Sequence, residues 1–518
     1  MAIRSGVYSL PVELLSRIFV VGAAAQSIDT PFILRPDEDH CIGSVTDFQL
    51  LVSHVCKHWR EIALRISCLW TSLHFREPAH IARANTFLAR VATIHALDIL
   101  VDTVAISEHI PGVTLCHEEM RTIFALIIPH VARWRAFHLK VRANDCKLIA
   151  RQELSTCGPA PRLETLQLYH FEDYRTNTDL YIATYRPPVE IFDNSLPALR
   201  NVSLIGVNLP WARAPYLQQL HTLELALHPD NIRPPFQAWD KMLRRSPLLR
   251  RLHLHYSGPR AADDHSSRIC MPALEDLELT DLDPDHLTRL LHTLELPRLA
   301  TLSLDLPEQD LITPSPVQDF SSAVELMAIQ SPYAALHTLH ITALDCASFA
   351  FAAFLRALVS LSVLKLDFSR IRDPNAICDV LLDTILLPFP SSTCPLQRDC
   401  PCEGSRCIPV LPRLEEASLF GLSGRQLRAI INFRMRFSQI QEPSSATIDE
   451  VDFSPSSVHC STSCSPKTSM PRFVVRWTDQ IGDPVLEQLV QQGRVNCLNR
   501  DDDGEDDVED IWSENGDE

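Results

Sequence analysis

The chain has 518 residues, 46% of them apolar and 22% charged, which is enough to bury a large core and excludes a wholly disordered or fibrous protein. Its 14 glycines are few and its 37 prolines many, which argues against glycine-rich phosphate loops and for numerous, regularly spaced chain breaks. Eleven of the acidic residues behind the formal charge of -18 lie in the last eighteen positions, leaving the rest at only -7, so no broad basic field exists to drive binding to nucleic acid or to an anionic membrane.

From the start of the chain, Arg4, the apolar stretch from Leu10 to Val21 and Ala23-Ala24-Ala25 have the outline of a secretory leader. Glu13 and Arg17 interrupt the apolar segment, so no leader is expected. Pro11 instead opens a short helix, running to Phe19, in which Leu14, Leu15, Ile18 and Phe19 share a face; proline costs nothing at a first helical position. A polar insertion, 26–47, precedes a second amphipathic run, where Phe48, Leu51, Val52, Val55, Trp59, Ile62, Ala63 and Ile66 fall on one helical stripe. No window of about 18 uninterrupted apolar residues occurs, Arg356 breaking the longest candidate, and no membrane span is expected.

A Leu-x-x-Leu-x-Leu pattern then recurs, often with proline two residues upstream, with first positions at Leu163, Leu199, Leu220, Leu249, Leu274, Leu299, Leu336, Leu361 and Leu414. Degenerate copies precede it at Trp70/Leu73/Phe75, Ile94/Leu97/Ile99 and Trp134/Phe137/Leu139. Successive copies are 21 to 40 residues apart, except for a gap of 53 before the last. Each copy reads as a short strand whose fourth and sixth residues point inward and whose third and fifth face solvent. One such unit cannot bury its apolar face alone, so stacking is expected. Between strands, Asp283-Pro284, Asp373-Pro374 and Asp483-Pro484 each set a capping acceptor before a helix-opening proline. Leu287, Leu290 and Leu291, and then Ile377, Leu381 and Ile385, follow at helical spacing. The long gap holds an insertion, about 388–411, with Cys394, Cys400, Cys402 and Cys407. A Ser-rich stretch, 441–470, reads as a disordered loop. A final strand and helix, 471–498, lead into an acidic tail, 499–518, that reads as solvated and self-repelling and contains Trp512.

The repeats over about 76–440 resemble leucine-rich repeats, and the sequences LPVELLSRIF, VCKHWREIAL and LW within 8–75 resemble an F-box of the kind found ahead of such repeats in mushroom-type fungi. The likeness departs in places: the insertion between the helices is long, Ser67-Cys68 replaces the usual Pro before Leu69-Trp70, and the usual Asn or Cys three residues beyond the sixth position is Phe171, Val207, Leu282, Leu344 and Leu422. The resemblance implies an α/β fold, an irregular leucine-rich-repeat solenoid with parallel strands and outer helices, preceded by a small all-α F-box module. It implies a non-catalytic substrate-recognition adaptor of a Skp-cullin-F-box ubiquitin ligase. Leu10, Pro11, Leu14, Leu15, Ile18 and Phe19 would dock on the Skp-type adaptor, while Val55, Trp59 and Ala63 form the module's own core and Trp70 joins it to the first repeat. A repeat scaffold that never joins a ligase is the alternative.

An unidentified target protein would be read by the solvent-facing strand positions, among them Thr165/Gln167, Asn201/Ser203 and Thr222/Glu224, with Arg251, His253, Asp276, Glu278, His340 and Lys365 as the expected contacts. The four insertion cysteines are a weak zinc candidate, because Cys-x-Cys strains a shared metal; no cofactor is expected. Asp281-x-Asp283-x-Asp285 fails as a calcium loop, with His286 at the glycine position and His292 at the twelfth. No P-loop, Gly-x-Ser-x-Gly or His-Glu-x-x-His occurs, so an enzyme is not expected. Cys56, Cys68, Cys116, Cys146, Cys270, Cys346 and Cys378 stand singly in apolar runs and read as small buried hydrophobes of a reducing compartment. An intracellular protein of cytoplasm or nucleus is expected.

Overall fold

A computed structural model describes residues 10–24, 31–34, 48–104, 115–142, 144–170, 187–260, 268–306, 318–330, 333, 335–371, 373–388, 405–439 and 470–498. Their contacts divide the chain into two units, Met1–Leu274 with Thr293–Glu295, and Glu275–His292 with Leu296–Glu518. The run of repeats is thus shared between the units, and the N-terminal helices belong to the first.

The first unit opens with α1 (Val12–Ala24), α2 (Phe48–Val55) and α3 (Lys57–Arg65). The Pro11 carbonyl accepts the first helical bonds, from Leu14 and Leu15, and α1 runs five residues past the expected end. The second amphipathic run is not one helix. It breaks at Cys56, whose extended backbone and sulfur, accepting from the Trp59 amide at 3.4 Å, start α3 anew, so Leu51 and Val55 turn outward instead of joining the core stripe. Trp70 closes the module: its ring is fully buried, its Nε1 donates to the Ala63 carbonyl at 3.1 Å, and it meets Phe87 edge-on at 4.9 Å with the Arg90 guanidinium 4.5 Å from it.

Strands then follow in chain order: β1 (Ser72–Phe75), α4 (Ala79–Arg90), β2 (Leu97–Asp102), α5 (His117–Ile127), β3 (Trp134–Val141), α6 (Asn144–Thr156), β4 (Thr165–His170), β5 (Asn201–Ile205), β6 (Thr222–Ala226), α7 (Phe236–Arg244), β7 (Arg251–His255) and the short β8 (Ile269–Cys270). From β1 to β7 each pairs in parallel with the next. The register stacks Leu73, Ile99, Phe137, Leu166, Val202, Leu223 and Leu252 in one column, all buried, with the positions two residues on forming a second. Among the described residues only single 3-10 turns separate β4, β5 and β6.

The second unit repeats the scheme. It contains β9 (Asp276–Thr280), α8 (Pro284–Thr293), β11 (Thr301–Asp305), α9 (Ser321–Ile329), β12 (Thr338–Ala343), α10 (Ser348–Ala357), β13 (Val363–Asp367), α11 (Pro374–Leu381), β14 (Thr384–Pro388), β15 (Ser405–Pro409), β16 (Glu416–Phe420), α12 (Gly424–Gln439), β17 (Arg472–Val475), α13 (Pro484–Gln491) and β18 (Asn496–Cys497), while β10 (Leu294–Glu295) belongs to the first unit and pairs with β8. β9, β11, β12, β13, β16, β17 and β18 pair in that order, all parallel, and stack Leu277, Leu302, Leu339, Leu364, Ala417 and Phe473. Ile385 departs from the expected helix. Thr384 and Ile385, both β-branched, leave the helical spacing for an antiparallel ladder between β14 and β15, so the ends of the insertion are paired strand, not open loop.

The prolines have a structural job. Leu163, Leu199, Leu249, Leu274, Leu299 and Leu414 each donate an amide to the carbonyl three residues back, which closes a β-turn with Pro161, Pro197, Pro247, Pro272, Pro297 or Pro412 at its second position. Proline's fixed φ suits that position. All three Asp-Pro helix starts form as expected, with Asp283 accepting from His286 N, Asp373 from Ala376 N and Asp483 from Leu486 N. Asp483 does more, because its second carboxylate oxygen accepts from the Gly424 amide at 2.7 Å and so ties the starts of α12 and α13 together. Only glycine allows this approach, since a Cβ at Gly424 would sit 2.5 Å from the Leu486 nitrogen. Those amide bonds hold the Asp483 carboxyl below the usual aspartate range. Asp483→Ala is expected to destabilise the second unit by about 1 kcal/mol, measured by urea denaturation, as loss of a helix cap does.

Candidate functional site

Two kinds of surface stand out, the outside of the N-terminal helices and the non-core face of the strands. On α1, Leu14, Ile18 and Val21 recur at helical spacing and are about half exposed, at 52%, 48% and 54%, and Val12, Leu51 and Val55 add to the exposed apolar surface of α1 and α2. Pro11 is exposed and Leu10 half-buried. Leu15 and Phe19, expected to face a partner, are instead fully buried on the opposite side of the helix, Phe19 packing on Trp59 at 5.0 Å. Val55, expected in the core, is exposed because of the break at Cys56, while Ala63 is buried as expected and Trp59 half-buried.

In the first unit the strand face expected to be wet is largely closed. The row formed by His138, Gln167, Ser203 and Glu224, one residue per strand, is buried. Residues 31–34 from the polar insertion lie on it. Gln167 Oε1 accepts from the amides of Ile33, at 3.2 Å, and Leu34, at 3.0 Å, and Nε2 donates to the Leu34 carbonyl at 2.8 Å and to Ser203 Oγ at 3.3 Å. Leu34 fills a cluster with Leu100, Tyr169, Ile205 and Ala226, bordered by Ile33 and Leu227. Sequence alternation alone could not reveal this cover, although an apolar Pro-Phe-Ile-Leu run inside a polar insertion was a signal for it. Farther along, Arg251 is exposed and His253 half-buried, its Nδ1 3.6 Å from the Glu224 carboxylate and its ring stacked on His255 at 6.5 Å.

In the second unit the same face is less covered, Ser418 alone of its central row being buried. The register brings Glu278, Ser303, His340, Lys365 and Ser418 into one row, with Asp276, Thr301, Thr338, Val363 and Glu416 beside it. Glu278 is exposed, and Asp276, His340 and Lys365 are half-buried. Position by position the row changes from carboxylate to cation. Sequence reasoning missed its basic end: Arg476, just past β17, lies with its guanidinium 4.6 Å from the buried Phe420 ring and 2.9 Å from Asp367, while Lys365 approaches the same ring at 5.6 Å. Cation-on-ring geometry of this kind holds both side chains in place. Burial, followed by the charges of Lys365 and Arg476, pushes the His340 imidazole down to about 4, and burial with Arg476 lowers the Lys365 ammonium.

Cys394, Cys400 and Cys402 lie outside the described residues, and only the backbone of Cys407, in β15, is described; among the described residues no group of three or more His, Cys, Asp or Glu could hold a metal. The Ser-rich stretch and the acidic tail also lie outside them. Cys146, Cys346 and Cys378 are buried, but Cys68, Cys116 and Cys270 are exposed, a correction to their reading as core. Cys116 is spent at the start of α5, its amide donating to Glu119 at 3.0 Å, and Cys270 points out of the two-residue β8. Among the described residues no helix is long and apolar enough to cross a membrane. No family model and no curated protein matches this chain.

Two deeply buried histidines set a pH limit on the first unit. His138 Nδ1 donates to Gln167 at 3.0 Å, and His228 Nε2 donates to the Val207 carbonyl while its Nδ1 accepts from Ser257. Burial pushes each down from 6.5 to about 4, against the favourable hydrogen bond that each makes and, for His228, with nearby Arg233 lowering it further. Both are therefore neutral when folded but take up protons when unfolded below about 6.5, so their contribution is complete above that pH and is lost as pH falls toward 4. The melting temperature is expected to drop between pH 7 and 4.5, with a shallower slope for His228→Gln in the same scan.

Proposed function

We propose that the chain is a non-catalytic substrate-recognition adaptor of a Skp-cullin-F-box ubiquitin ligase: the N-terminal helices dock a Skp-type adaptor and the repeats hold a target protein. The observation that carries this reading is the exposed apolar stripe Leu14, Ile18 and Val21 on α1, opposite the buried Leu15 and Phe19. A stripe of this size on a short helix is costly to leave in water and suits docking against another helix. The F-box resemblance of the same segment gives the partner's class.

Target binding belongs on the less covered face of the second unit, where Asp276, Glu278, His340, Lys365 and the newly found Arg476 offer both signs of charge. Such a surface favours a partner with complementary charges and rejects one with the reverse order. The chemistry of the adaptor is effective concentration, since a target held beside a ubiquitin-charged enzyme meets it far more often than free in solution. Arg251 and His253 of the first unit remain further contacts in this reading.

Co-purification tests the proposal. Wild-type protein is expected to retain a Skp-type adaptor under conditions where established receptors do, and Leu14→Glu or Ile18→Glu is expected to lower retention at least tenfold with an unchanged circular dichroism spectrum. Failure of the wild type to retain the adaptor would overturn the ligase reading.

A further inference from the structure

Gln167 occupies an expensive position. It lies fully buried in a strand that otherwise reads Thr-Leu-x-Leu-Tyr-His, and an amide taken out of water without partners is strongly unfavourable. Its partners are the N–H groups of Ile33 and Leu34 and the carbonyl of Leu34. One primary amide thus reads the donor and acceptor of a single residue, the pair that a neighbouring strand would offer, and the reading is indifferent to that residue's side chain. Selectivity comes from beside it, where Leu34 enters the pocket of Leu100, Tyr169 and Ile205. Neighbouring groups hold the amide in this orientation, with His138 Nδ1 donating to its oxygen and its nitrogen donating to Ser203.

The occupant is held by the burial of Phe32 and Leu34 and by the hydrogen bonds of one side chain to Ile33 and Leu34. Residues 31–34 form neither helix nor strand, and among the described residues every hydrogen bond of Ile33 and Leu34 goes to this one side chain. Sequence joins them to α1 on one side and α2 on the other, so they occupy the site at high effective concentration.

We propose that the face of β2 to β6 around Gln167 is a binding site for an extended peptide carrying a leucine-like residue, and that the chain's own residues 31–34 fill it as an internal ligand. A target segment of this chemistry binds there by displacing them. The inference goes beyond the adaptor reading and does not depend on it, because the site is complete without any ligase partner.

The experiment uses the full chain and a fluorescent peptide of residues 28–37. Leu34→Asp empties the pocket, and the variant is expected to bind the peptide at least tenfold more tightly than wild type. A peptide methylated on the Leu34 nitrogen, which removes the donor that Gln167 reads, is expected to lose that binding. A folded Leu34→Asp chain that ignores the peptide, or binds both peptides equally, overturns the proposal. Should that variant not fold, hydrogen exchange on wild type decides: Ile33 and Leu34 amides exchanging at least tenfold faster than those of Leu166 and Leu168 support a displaceable segment, and equal protection overturns it.

Discussion

A strand of five residues with two inward leucines cannot hide them from water by itself. Each copy in this chain is stable only because the next places its own leucines directly alongside, in register, so that Leu166, Val202, Leu223 and Leu252 share one apolar column. Every other feature answers to that need. Proline turns launch β4, β5, β7, β9, β11 and β16, helices or 3-10 turns return the chain, and Trp70, just ahead of the first strand, bonds back to the N-terminal helices. Nearest-neighbour burial of this kind makes stability a sum of small interfaces.

The opposite face of the strands is free to vary because no column depends on it, and the two units use that freedom differently. In the first, a buried polar row of His138, Gln167, Ser203 and Glu224 is satisfied in part by residues far away in sequence, 133 or 134 positions from Gln167. In the second, the row is less covered and graded in charge, with an aromatic ring fixing its cations. The first arrangement suits an extended backbone and the second a charged surface.

Much of this was legible in the residues. The leucine pattern located most of the long parallel strands among the described residues, including the degenerate copies around Leu73, Leu97 and Phe137, because register in a stacked sheet leaves a fixed spacing in sequence. The Asp-Pro pairs located three helix starts because cap and proline chemistry are local. What could not be read came from distant contacts. Nothing in the alternation at Gln167 says that residues 31–34 return to cover it, and nothing in the stripe from Phe48 to Ile66 says that Cys56 restarts the helix and turns Val55 outward. Leu15 and Phe19 were misread for a related reason: a helix face assigned from apolar residues alone does not tell which side its own molecule takes.

The proline turns have one more consequence. Since each turn fixes where its strand begins without help from the outward-pointing side chains, a substitution at Glu278 or Ser303 disturbs no column and no register. Lineages descended from this chain could therefore drift to new targets one strand at a time while keeping the same scaffold, whereas a change at Gln167 would have to arrive together with a change in the segment it holds.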